Sequence, residues 1–78
     1  MEKKKIIGTF FEKNEKYILY RFPFLKKYKE EDRVKEFIVE AMAHVSTGLL
    51  KEKDNKNPKN KSNNELYNFV KEIFKLLK

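Results

Sequence analysis

A chain of 78 residues with 19 Lys+Arg against 12 Asp+Glu reads as one small domain carrying +7 at neutral pH. Hydrophobic residues are 40% of the total and aromatics 14%, enough apolar material to set wholesale disorder aside. The absence of cysteine excludes a disulfide scaffold, a thiolate zinc site, an iron–sulfur cluster and a cysteine nucleophile.

The chain begins Met1-Glu2-Lys3-Lys4-Lys5, a basic start without the continuous apolar stretch and small-residue cleavage site of a signal peptide. No apolar run approaches the roughly 18–20 residues that cross a bilayer. A cytoplasmic protein is the expectation. Residues 4–22 are rich in β-branched and aromatic side chains: Ile6, Ile7, Thr9, Phe10 and Phe11, then Tyr17, Ile18, Tyr20 and Phe22. The polar run from Glu12 to Lys16 separates the two groups, and Asn14 suits a left-handed turn position. This predicts a β-hairpin with strands near 4–12 and 16–22, ended by Pro23, which removes an amide donor. The competing reading places Ile6, Phe10, Tyr17 and Ile18 on one helical face. Gly8 and Thr9 weaken that helix, and Asn14 would fall on its apolar side. Either register of a hairpin leaves a second apolar face, to be covered by another subunit or a partner through Phe10, Phe11, Tyr17 and Tyr20.

Two amphipathic helices follow. Val34, Phe37, Ile38, Ala41, Met42 and Val45 hold one 3.6-residue stripe, with acidic residues Glu30 to Asp32 at its positive end. Gly48 is the left-handed stop and Leu49 folds back on the last turn, so this helix should run from about 30 to 47. Residues 51–64 contain no large apolar side chain and read as a long, solvated, mobile basic loop. Ser62 and Glu65 form a capping box for a helix over 63–78, with Leu66, Phe69, Val70, Ile73, Phe74 and Leu77 as its stripe and Lys71, Lys75 and Lys78 on or beside the wet side. That stripe could also lie on a membrane surface, although core packing explains it more economically.

Few constellations carry chemistry. Gly8 and Gly48 lie too far apart for a phosphate-cradling loop. Asp32, Glu36, Glu40 and His44 recur every fourth residue, a spacing that could hold a cation but that lies opposite the apolar stripe, as a solvated face does. His44 has no visible nucleophile to serve, so neither enzyme, cofactor nor metal site is expected. The better candidate is Lys51, Lys53, Lys56, Lys59 and Lys61, with the intervening asparagines able to reach phosphate oxygens and Lys26, Lys27 and Lys29 as a second cluster. The bland reading of the same residues is a solubility-keeping linker in a lysine-rich, AT-biased composition. Only Arg21 and Arg33 are arginines, which argues against base-specific reading. Strand-borne aromatics beside lysines could stack unpaired bases, but core and interface packing accounts for them more simply.

The reading is a small α+β domain over 1–78: an N-terminal hairpin, then two amphipathic helices joined by a basic loop, with an all-α three-helix arrangement as the alternative. A chain this small gains from oligomerisation, so a homodimer is expected. Its function is non-enzymatic binding, to nucleic acid through lysine–phosphate contacts or, alternatively, to a larger protein as a regulator or inhibitor.

Overall fold

The structure, a computed structural model, describes residues 2–77, with side chains from Lys4 onward. Lys78, expected on the wet side of the last helix, lies outside the described residues. Four α-helices, α1 (Glu2–Lys13), α2 (Glu15–Arg21), α3 (Glu30–Thr47) and α4 (Lys61–Leu76), are accompanied by 3₁₀ turns at Pro23–Lys27 and Pro58–Asn60. No strand occurs among the described residues, so the expected α+β class with its N-terminal hairpin is corrected to an all-α fold. The chain divides into two compact units, residues 1–40 and 41–78, and the boundary falls within α3.

In the first unit the apolar phase decides between hairpin and helix. Ile7, Phe10, Phe11, Asn14, Ile18, Phe22 and Leu25 follow one another by steps that keep to a 3.6-residue period, and Phe11, Ile18, Phe22 and Leu25 are buried. Asn14 is a kink rather than a hairpin turn. Its backbone is at φ −121°, not left-handed, and the amide of Asn14 still donates to the carbonyls of Phe10 and Phe11 at 3.1 and 3.2 Å. Its Nδ2 donates to the Phe10 carbonyl at 3.0 Å, which satisfies the polar group on the apolar side. Aromatic and β-branched content favours a strand, but the 3.6-residue period and tertiary packing override that propensity here. Pro23 does act as a stop, but of α2, opening the 3₁₀ turn behind it.

The core of this unit joins the aliphatic Ile18 and Leu25 to a cluster of rings. Phe37 of α3 is wholly buried. The Phe11 and Phe22 rings meet it edge-on at 5.6 and 6.2 Å between centroids, and the Phe10 ring lies nearly parallel at 6.4 Å. Edge-to-face pairs of this kind contribute about 0.5–1.5 kcal/mol each beyond burial. The Arg33 guanidinium closes the turn before α3. Its Nε donates to the carbonyls of Leu25 and Tyr28 at 3.1 and 3.0 Å, and Nη2 to that of Lys26 at 3.3 Å. One charged side chain thereby caps the carbonyls of Lys26 and Tyr28 and adds a second donor to that of Leu25, which also accepts from the Tyr28 amide at 3.1 Å.

In the second unit Gly48 ends α3 at φ +81°, the conformation that favours glycine. The residue that folds back is Leu50, not Leu49. Leu50 is fully buried and its amide donates to the His44 carbonyl at 3.0 Å, whereas Leu49 is exposed. Leu50, Leu66, Val70 and Ile73 supply the buried aliphatic side chains, with Ala41. Leu77, expected on the stripe, is exposed. The Ser62–Glu65 capping box does not open α4. The helix starts at Lys61, straight off the Pro58–Asn60 turn, and no side-chain cap bonds its first amides.

Candidate nucleic-acid interface

The basic segment expected to be a mobile loop over 51–64 is held in place, and its last four residues belong to α4. Two consecutive asparagines at the start of α4 do the holding. Asn63 and Asn64 are only 4% and 6% exposed. The Asn64 carboxamide meets the backbone of Lys53 in both directions: the Lys53 amide donates to Oδ1 at 2.8 Å, and Nδ2 donates to the Lys53 carbonyl at 2.8 Å. That is the pairing a neighbouring strand would supply, made here by one side chain. Nδ2 of Asn64 also donates to Oδ1 of Asn55 at 2.7 Å, and Nδ2 of Asn63 to the Lys51 carbonyl at 2.8 Å.

The rest of the loop is built from short local bonds. Oδ1 of Asp54 accepts from the Lys56 amide and Oδ1 of Asn57 from the Lys59 amide, both at 3.0 Å. Such side-chain turns fix a backbone without a helix or sheet. Asn60 closes the segment by donating Nδ2 to the Asp54 carbonyl at 3.0 Å. Oδ1 of Asn55, Oδ1 of Asn57 and Nδ2 of Asn60 therefore serve the loop itself.

What this scaffold displays is lysine. Lys51, Lys53, Lys56, Lys59 and Lys61 are all exposed, with Glu52 and Asp54 the only acids among them. Lys26, Lys27 and Lys29 are likewise exposed, on the turn that Arg33 caps, so this cluster belongs to the first unit and the five lysines to the second. Arg33 itself is engaged with carbonyls and is a structural residue.

The four rings expected at an interface separate. Phe11 is 5% exposed and Phe10 is half-buried against Phe37. Tyr17 is half-buried, and Tyr20 on the same helix is 81% exposed. Their rings lie 6.3 Å apart, and Nη1 of Arg21 donates to the Tyr17 hydroxyl at 3.2 Å.

Elsewhere the first unit has a cleft of about 450 Å³ lined by apolar Ile7, Val34 and Ile38 and by Lys4, Lys35, Glu31 and Asp32. Its mixed charge gives no preference for an anion or a cation. Among the described residues no three His, Asp or Glu side chains gather as metal ligands, the Asp32, Glu36, Glu40 and His44 stripe included. No described helix is long and apolar enough to cross a membrane.

Asn63, Asn64 and Arg33 are the structural residues that sequence reasoning missed. Asn63 stands three before Leu66, in phase with the apolar stripe of α4. A carboxamide in that phase signals a buried amide with backbone to serve. No protein-family model matches the chain, and neither a curated protein nor a solved structure does.

Proposed function

We propose that the protein is a non-enzymatic nucleic-acid-binding protein whose lysine loop contacts the phosphate backbone. The observation that carries this reading is the asparagine-held segment from Lys51 to Lys61, which presents five exposed ammonium groups on a backbone already fixed. Ordering before contact lowers the entropy that binding must overcome. Lysines act as point charges without base-reading geometry, so affinity is expected to be tolerant of sequence and dominated by counterion release. The net charge of +7 favours encounter with a polyanion. Cysteine-free composition supports a reducing, cytoplasmic setting.

The test is fluorescence anisotropy of labelled duplex and single strands across a salt series. Affinity should fall steeply with salt. The triple substitution Lys56→Glu, Lys59→Glu and Lys61→Glu should weaken binding at least tenfold and flatten the duplex salt slope by about 2–3, at roughly 0.9 per lost phosphate contact. Undetectable binding at low salt, or a triple variant that binds as the parent does, would overturn the reading. Light scattering of the same samples gives the mass of the free and bound protein, and with it whether the chain acts as the homodimer that its small size favours.

A further inference from the structure

We propose that the face of α2 formed by exposed Lys16 and Tyr20 and half-buried Tyr17 and Arg21 stacks an unpaired base, so that the protein prefers single-stranded nucleic acid to duplex. This rests on the nucleic-acid reading above and adds to it a second contact, in the first unit, of a different chemical kind.

A single exposed tyrosine is ordinary on a protein surface. Tyr20 differs in its neighbours. Most aromatic side chains of this chain are buried or half-buried, and the next most exposed, Tyr28, shows half as much of itself at 40% against 81%. At about 100° per residue, Lys16, Tyr20, Tyr17 and Arg21 fall within one arc of roughly 140° on α2. Glu15 and the apolar Ile18 and Leu19 lie outside it. The arc thus holds two aromatic rings between two cations and no carboxylate.

Local packing steadies the platform. The Tyr17 ring is half-buried, tilted 38° from Tyr20 with centroids 6.3 Å apart, and its hydroxyl accepts from Arg21. Tyr20 can therefore offer a ring face while its neighbour limits how far that ring swings. An unpaired base has a free π-face to lay on such a ring, and the phosphates on either side meet Lys16 and Arg21. In a duplex both faces of each base are already stacked on neighbours, so the ring has nothing to take. The occupant is chosen on charge: the face is positive and aromatic, which suits a flexible polyanion with flat uncharged rings.

The experiment compares anisotropy of labelled oligothymidylate of about 15 nucleotides with that of a duplex of equal length, using the full chain and its Tyr20→Ala, Tyr20→Phe and triple-lysine variants. Because Tyr20 is exposed, Tyr20→Ala should melt as the parent does. It should lose about tenfold in single-strand affinity, less than twofold on duplex, and keep the salt slope, since stacking displaces no counterion. Tyr20→Phe should retain most of the parent affinity. If Tyr20→Ala binds the single strand unchanged while the triple variant weakens, the stacking proposal is wrong and the lysine reading stands. If the parent binds neither strand form at low salt, both fall. A Tyr20→Ala variant that instead changes mass by light scattering, or loses binding to phosphatidylglycerol vesicles, with its oligonucleotide affinity unaltered, also overturns the proposal by assigning the face to self-association or to a lipid surface.

Discussion

The two units of this small chain are organised around opposite kinds of side chain. In the first, Phe10, Phe11 and Phe22 gather on Phe37, and a single guanidinium, that of Arg33, closes the adjoining turn. In the second, modest aliphatic side chains are joined by two buried carboxamides that grip a stretch of irregular backbone. The difference shows two ways to keep a short polypeptide in one shape. Rings contribute area and need only neighbours, so they stabilise helices against one another. Carboxamides contribute little area but carry donor and acceptor together, so they can specify a backbone path that has no regular ladder of its own.

Substitutions can break this contrast one side at a time. Phe37→Ala removes the ring that three others touch and should cost about 3–5 kcal/mol. That is comparable with the entire stability of a chain this size, roughly 4–12 kcal/mol at about 0.05–0.15 kcal/mol per residue. Loss of most helical circular dichroism at 37 °C is the expected result, and a cooperative melt close to the parent's would show that the ring cluster is not the centre of the first unit. Asn64→Leu keeps the branching of the side chain but strands the polar backbone of Lys53, and should cost about 2 kcal/mol. Its signature is selective: hydrogen exchange at the Lys53 amide accelerates while the amides within α4 stay protected. An unchanged Lys53 exchange rate would mean that the loop holds its path without the asparagine. Arg33→Met preserves the aliphatic stem and removes bonds that are partly open to water, so about 1 kcal/mol is expected in urea titration. A loss as large as that of Asn64→Leu would make the guanidinium and the carboxamide equal partners and erase the distinction drawn above.

The helices over 30–47 and near the C-terminus were legible because their apolar positions repeat without interruption, and because acidic residues and Gly48 mark the ends of the first. The N-terminal third was misread for a reason that recurs later in the chain. Asn14 counted against a helix because it occupies the apolar phase, yet the backbone carbonyl of Phe10 satisfies it there. Asn63 and Asn64 are likewise polar groups in a buried position, answered by the carbonyls of Lys51 and Lys53. In each case the partner is main-chain oxygen, which carries no signature in the residue types. The exposed lysines of the candidate interface could be named from composition because charge alone keeps them at the surface. Which asparagines face outward could not be, since a carboxamide serves solvent, phosphate or backbone with the same atoms. The face of α2 proposed to stack a base is hidden by the hairpin reading, which groups Tyr20 with Phe10 and Phe11 rather than with Lys16 and Arg21.

The pinned segment from Lys51 to Lys61 has a consequence for digestion. Five lysines within so short a span offer trypsin a dense set of cleavage points, and exposure of the side chains alone would make this the first place cut. Proteases, however, bind their substrates as extended main chain, and here the main chain at Lys53 is clasped on both its amide and its carbonyl by Asn64. Nicking must wait for that clasp to open, so the rate at which the segment is cut reports how often it lets go.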